Sequence, residues 1–380
     1  MSWEKVKLGD VSESCLGKML DQRKNKGTYK LYLANVNVRW GSFDLENLQK
    51  MKFEDYEDER YGIKYGDLII CEGGEPGRCA IWKEVLPNMK IQKALHRVRV
   101  NEEMDYRYVY YWFLLAGKQG TLKQYYTGAT IMHMPGQKLK EVVIDKPPLG
   151  VQRRIGYYLE SFDNLIDNNQ KQIKLLEEAA QRLYKKWFVD LRFPGYEDVK
   201  IVDGVPEGWK KVGLAKIAPI VTGKKDANFG IDNGKYLFFT CAQEPIKAPS
   251  YSFDCSAVIL AGNGDFNVKL YRGKFEAYQR TYVFSPHNSD NLYLLYYAVK
   301  DSMRQLFQGA SGSTIKFLTK RMLEEILVFV PDGDILIRFN QNCESFQKKI
   351  EALKIQISLV QEARDRLLPK LMNGELRYKQ

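Results

Sequence analysis

Between residues 149 and 188 the chain reads LGVQRRIGYYLESFDNLIDNNQKQIKLLEEAAQRLYKKWF, and its mostly apolar positions recur at alternating four- and three-residue steps. Ile155, Leu159, Phe162, Ile166, Asn169, Ile173, Leu176, Ala180, Leu183 and Trp187 keep that line without a slip. A lone helix of ordinary pitch drifts off such a line, so the period is that of a coiled-coil seam. No Gly or Pro interrupts the run after Gly156. The stretch predicts a helix of roughly 57 Å, which needs a partner helix to cover its seam.

The partner lies in the same chain. Shifted by 184 residues, 139–188 aligns without a gap on 323–372, and sixteen of the fifty pairs are identical. Identity extends to positions off the seam, such as Glu141/Glu325, Arg154/Arg338 and Arg182/Arg366, which apolar periodicity alone does not require. This is an internal repeat. Its second copy carries Phe339, Cys343, Phe346, Ile350, Leu353, Ile357, Val360, Arg364, Leu367 and Leu371 on the same seam. Each helix follows a globular region, and the two regions open alike, with SWEKVKL at Trp3 and GWKKVGL at Trp209. That offset is 206, so the second globular region is 22 residues the shorter.

The expected division is a first globular domain over 1–148, a central helix over 149–188, a linker over 189–207, a second domain over 208–331, a distal helix over 332–372 and a tail over 373–380. Within the domains, 30–40, 66–74 and 93–100 read as strands and 106–120 as a helix stopped by Gly. The second domain repeats the order with strands at 234–242, 255–264 and 278–284, then a helix over 291–307. Polar loops, GATIMHMPGQKL (128–139) and GASGSTIKFLTKRML (309–323), precede a short strand and the long helix in each copy. The second domain starts where the first helix ends, so antiparallel pairing asks least of the linker. The fold class is therefore α+β: two mixed domains separated by two long helices in an antiparallel coiled coil, a pseudo-two-fold internal repeat.

Lys and Arg number 58 against 47 Asp and Glu, a net charge of +11, which favours a polyanionic partner, nucleic acid above all. The six cysteines form no CxxC pair and only three histidines accompany them, so neither a zinc site nor a disulfide framework is expected. No charged-then-apolar leader precedes Trp3 and no apolar run approaches the ~20 residues of a membrane helix. A cytoplasmic, membrane-free protein is expected. There is no GxxxxGK[ST] loop, and the glycine clusters EGGEPG (72–77) and AGNGDF (261–266) lack a strand-GxGxxG-helix setting, so they read as turns. No catalytic set stands out. The chain reads as a binder whose rod of roughly 57 Å would span about 17 base pairs at ~3.4 Å each.

PPLGVQRRI, LLEEAAQRLYKKWFVDLRFPG, the PEGW restart and LLPKLMNGEL, in the order domain, helix, domain, helix, resemble the specificity subunit of type I restriction-modification enzymes. The resemblance covers the whole chain, most strongly 139–214 and 323–376. It implies two target recognition domains, each reading half of a bipartite asymmetric DNA site, on a non-catalytic subunit. It also implies two modification subunits that methylate adenine from S-adenosylmethionine, and restriction subunits that use ATP; both cofactors would sit on those partners. The rival readings are a coiled-coil scaffold and an unrecognised stand-alone DNA-modifying enzyme.

The candidate DNA contacts are Thr130, His133 and Lys138 in the first polar loop and Ser311, Ser313, Thr314, Lys316 and Lys320 in the second; each loop reads equally as a plain connection. Arg23, Lys24, Arg39, Lys224, Lys225 and Arg280 are further candidates, against solvated surface charge. Asn169 on the seam reads as a register device or as a residue near solvent. Arg364 is expected to snorkel outward, and Pro369 to bend or stop a frayed helix end. Tyr158, Leu165, Leu175, Tyr184, Phe188, Leu359 and Leu368 lie off the seam, either for a docked partner or under the globular domains.

Overall fold

The computed structural model describes residues 3–21, 23–309, 317–331 and 333–376. The chain forms two compact units, Met1–Asn169 with Ile355–Gln380, and Gln170–Lys354, so the division cuts through both long helices.

In the first unit a four-stranded antiparallel sheet runs in the order Ser12–Leu16, Leu95–Val100, Leu68–Cys71, Cys79–Ile81. A three-stranded sheet of Gln49–Phe53, Thr28–Leu33 and Lys90–Ile91 accompanies it. The helix Tyr106–Gln119 begins where the Asp105 carboxylate accepts from the amides of Arg107 and Tyr108, and ends at Gly120, whose φ of 73° a side chain would resist. Its Tyr108, Tyr111 and Phe113 are buried against the sheet.

The main sheet of the second unit is six-stranded, ordered Ile220–Thr222, Thr281–Phe284, Phe253–Ala261, Val268–Ala277, Tyr236–Phe239, Ile246–Ala248. The helix Leu292–Gly309 packs on it.

Both sequence offsets reappear as strand register. Glu4–Lys7 pairs antiparallel with Val143–Lys146, Glu4 facing Lys146. Lys210–Gly213 pairs with Leu327–Val330, Lys210 facing Val330. The first partners are 206 apart and the second 184, so the two openings close on the two pre-helix strands in one register.

The long helices are Leu149–Tyr184, continued by a wide turn over Lys185–Val189, and Asp334–Met372. Within the first unit Asn169 Nδ2 donates to Gln356 Oε1 (3.1 Å) and Arg364 Nη1 to Asp163 Oδ1 (2.5 Å). One helix descends as the other ascends, which makes the pairing antiparallel. Within the second unit Ala180, Tyr184, Trp187 and Phe188 share a core with Phe339 and Cys343, in the same sense. Every seam position is buried or half-buried, from Ile155 and Leu159 through Phe162, Ile166, Ile173, Leu176 and Leu183, and from Phe346, Ile350, Leu353, Ile357 and Val360 to Leu367.

Two expectations fail near the end of the second long helix, and one of the two readings of Asn169 drops out. Arg364 does not snorkel: Asp163 and Asp365 hold its guanidinium, and the side chain is 16% exposed. Pro369 neither stops the helix nor leaves it frayed. The helix continues to Met372 because Leu368, Leu371 and Met372 are buried in the first unit's core, offsetting the amide hydrogen bond that proline cannot make. Asn169 is buried and partnered, not at the solvent margin.

Candidate nucleic-acid interface

In the first unit the turn EGGEPG leaves the strand Leu68–Cys71 and receives the polar loop on its backbone. The amide of Met134 donates to the carbonyl of Glu72 (2.7 Å), and Gly73 bridges His133. A Cβ on Gly73 would stand 2.9 Å from His133 Nδ1, so any other residue there would turn the histidine ring away. Thr127 and His133 exchange both backbone hydrogen bonds, at 2.8 and 2.9 Å, closing a small loop with Thr130, Ile131 and His133 exposed. Asn35 Nδ2 donates to the Gly73 carbonyl (3.0 Å) and brings up the hairpin carrying Arg39, whose guanidinium donates to the Val36 carbonyl (2.5 Å). Lys138 sits on the short helix Gly136–Lys140, paired with Glu141 at 2.7 Å.

The second unit builds the same platform. Leu318 donates its amide to the carbonyl of Gly262 (2.8 Å), and Asn263 bridges Phe317. The strands fix the equivalence: Val98 faces Leu68 in one sheet and Phe284 faces Val258 in the other. Counting on from Leu68 and Val258 sets Glu72 and Gly73 on Gly262 and Asn263, while the repeat offset sets His133 and Met134 on Phe317 and Leu318. Here the turn also gathers basic residues. The amide of Gly262 donates to the carbonyl of Arg280 (2.8 Å), Gln279 donates to the carbonyl of Lys225 (3.0 Å), and Lys225 Nζ lies 4.4 Å from the Phe229 ring centre. Lys224 and Arg280 are exposed beside them.

Thus Thr130, His133, Lys225, Arg280 and neighbouring Lys224 are presented by the two platforms, and Lys320 stands exposed at the start of the helix Lys320–Glu324, 3.9 Å from Glu324. Arg23 and Lys24 stand in a separate turn capped by Asp21. Ser311, Ser313, Thr314 and Lys316 lie outside the described residues. Two features escaped the sequence reading. The glycine clusters are turns, yet turns that carry the loops; and His96, buried beneath the first platform, pairs its Nε2 with the Met134 carbonyl at 3.1 Å.

Burial lowers the His96 pKa below its ordinary 6.5, against a smaller opposing effect of Glu72. With the folded value depressed, the unfolded chain takes up the proton first as pH falls. The stabilisation is complete above 6.5 and diminishes as pH drops towards the folded value. Amide protection factors at Thr127–Met134, corrected for the intrinsic exchange rate, are accordingly expected to fall as pH drops below 6.5, and a His96→Asn variant to show none of that dependence.

Gly262 offers a direct test of the second platform. A Cβ there would lie 2.4 Å from the Arg280 carbonyl oxygen. Gly262→Val is expected to displace the turn at a cost of about 2 kcal/mol and to weaken DNA binding, whereas Gly150→Ala, in the first turn of the long helix with open space around it, should leave binding unchanged. Equal affinities in a filter-binding titration would separate the turn from recognition.

The apolar positions off the seam divide. Tyr158, Leu165, Leu175 and Leu359 are exposed, at 37, 37, 64 and 60%. Tyr184, Phe188 and Leu368 are not: at 5, 2 and 1% they belong to the cores of their own units, so they form no docking surface. Among the described residues no group of three His, Cys, Asp or Glu side chains could hold a metal, and no helix is long and apolar enough to cross a membrane.

Residues 1–178 and 206–358 match the family described as the type I restriction modification DNA specificity domain. The chain belongs to this family. It carries the specificity domain twice, and the two platforms fall one in each copy. Over 176 residues the chain is 35% identical to the specificity subunit of the type I restriction enzyme EcoDI of Escherichia coli, a match spanning 45% of this chain and 39% of that one. The specificity subunit of the enzyme MjaIX of Methanocaldococcus jannaschii is 27% identical over 344 residues, 83% of this chain and 78% of that one. The solved S subunit of a type I restriction-modification system from M. genitalium aligns with a TM-score of 0.56 at 15% identity, over 98% of this chain and 96% of that one, and so shares the fold.

Proposed function

We propose that the chain is the DNA-reading, non-catalytic subunit of a type I restriction-modification complex. Each globular domain reads one half of a bipartite, asymmetric duplex target. The paired helices set the unread spacer and dock two modification subunits, which bind S-adenosylmethionine, and restriction subunits that use ATP are recruited to that assembly. One observation carries this reading: two specificity domains hold a polar loop on a glycine turn through equivalent backbone bonds, Met134 to Glu72 and Leu318 to Gly262, yet present different side chains. A common scaffold with distinct surfaces is what two unlike half-sites demand. The net charge of +11 suits a duplex ligand.

The decisive experiment maps N6-methyladenine in DNA from cells producing the chain with its neighbouring modification subunit. Methylation on opposite strands of one asymmetric two-part motif is the expected result; methylation at no motif by a stable, active complex would refute it. Affinity for that motif is also expected to fall about a thousandfold from 50 to 200 mM salt if some six phosphates are contacted. A salt-indifferent complex would favour a scaffold role.

A further inference from the structure

A second equivalence runs through the two units. In the first sheet Leu68 faces both Ile81 and Val98; in the second, Val258 faces both Leu270 and Phe284. Ile81 therefore matches Leu270 and, two residues on, Lys83 matches Arg272. Counting from Val98 and Phe284 sets Arg107 on Tyr293, at the start of each domain helix. The repeat offset of 184 sets Glu160 on Glu344, an identical pair that the coiled-coil seam does not need.

The three matched positions meet in both units. Glu160 lies 3.5 Å from Lys83 Nζ and 3.5 Å from Arg107 Nη1. Glu344 Oε2 accepts from the Tyr293 hydroxyl at 2.6 Å and from Arg272 Nη2 at 3.1 Å, and Arg272 also reaches the Tyr293 oxygen at 3.1 Å. The chemistry of the partners differs, Lys and Arg in one unit against Arg and Tyr in the other. The hub is the same carboxylate on the same turn of each long helix, and it ties the helix at once to the domain helix and to the matched strand, at Arg272 within Val268–Ala277 and at Lys83 two residues past Cys79–Ile81. The Tyr293 hydroxyl, then Arg272, hold the Glu344 carboxyl below its ordinary value, so it is charged at neutral pH.

We propose that Glu160 and Glu344 are equivalent positioning residues, each fixing the angle at which its globular domain stands on the long helix and hence where that domain's loops meet DNA. The DNA part of this rests on the function proposed above. Glu344 is 35% exposed on its side chain, and pairs at such sites add little to stability. Their effect is directional: a carboxylate held from two sides limits the orientations open to it.

The test uses the full chain with its modification subunits and three variants: Glu344→Gln, Glu160→Gln and the exchanged pair Arg272→Glu/Glu344→Arg. Glu344→Gln is expected to lower affinity for the intact bipartite target about tenfold while the melting temperature stays that of the parent. On a duplex whose second-domain half-site is scrambled it should bind as the parent does. Glu160→Gln should show the mirror pattern, and the exchanged pair should recover most of the loss. Parent-like binding by both single variants, or a loss shared equally by the two half-sites, would overturn the proposal. Amide exchange needs no DNA. Tyr271–Lys274 should exchange faster in Glu344→Gln while the long helix is unchanged. If the parent reads no bipartite site, the DNA reading fails on its own, and unaltered exchange at Tyr271–Lys274 would then reject the positioning role as well.

Discussion

Phe339→Ala is expected to destabilise the second unit by about 4 kcal/mol. The ring is fully buried and lies among four aromatic neighbours, with centroids 6.4 Å from Tyr184, 6.1 Å from Trp187, 4.8 Å from Phe188 and 6.1 Å from Tyr297. Those neighbours come from the first long helix with its terminal turn and from the domain helix Leu292–Gly309. Three elements therefore lose a shared contact at once, and large rings on separate elements cannot collapse to fill the space. Phe346→Ala, two steps along the seam and only half-buried, should cost less than half as much. Calorimetry and amide exchange resolved by segment would check this, since a chain of two units need not melt in one transition. A cost below about 1 kcal/mol would mean that the site closes over the missing ring.

The second large effect lies in the first unit. Asp163 accepts from Arg364 Nη1 (2.5 Å) on one oxygen and from the Tyr111 hydroxyl (2.6 Å) on the other. Arg364 also donates to Asp365 (3.0 Å), which meets Lys118 at 2.6 Å. Asp163 and Arg364 are 21 and 16% exposed on their side chains, so neither partner can easily turn to water. Asp163→Ala leaves the Tyr111 hydroxyl without its acceptor and the Arg364 guanidinium with Asp365 alone, and is expected to cost about 3 kcal/mol. Asp163→Leu/Arg364→Met removes the charges in concert and should cost clearly less than the single change. A double variant as damaging as Asp163→Ala would show that the stabilisation comes from the charges themselves.

The seam and the repeat were legible because both are local or self-similar. Alternation of four and three residues leaves little choice but paired helices, and offsets of 206 and 184 became the register of Glu4 on Lys146 and of Lys210 on Val330. Sheet order was not legible, since pairing joins residues far apart in sequence. The ten-residue strand Val268–Ala277 went unrecognised. Lys269, Arg272 and Lys274 break its apolar run, and Gly273 reads as a loop residue, yet the strand is paired on both sides. For Tyr184, Phe188 and Leu368 the sequence left a docked partner and cover by the globular domains equally open, because a two-helix seam has no third layer; the cores of the two units supply one. The polar loops were found from composition and the glycine clusters were read as turns, but not that the loops rest on those turns, because a backbone bond such as Leu318 to Gly262 leaves no mark on side-chain pattern.

That last bond has a meaning for how such a protein diversifies. Loop and turn are fastened through main-chain groups in both domains, at Met134 to Glu72 and at Leu318 to Gly262. The fastening is therefore indifferent to which residues ride on the loop. Thr130 or His133 can be exchanged with no partner in the core left stranded, and most such surface changes lie within about 0.5 kcal/mol. On the function proposed above, selection can thus rewrite what is read without renegotiating the fold, and a lineage can try new vocabularies at almost no thermodynamic risk.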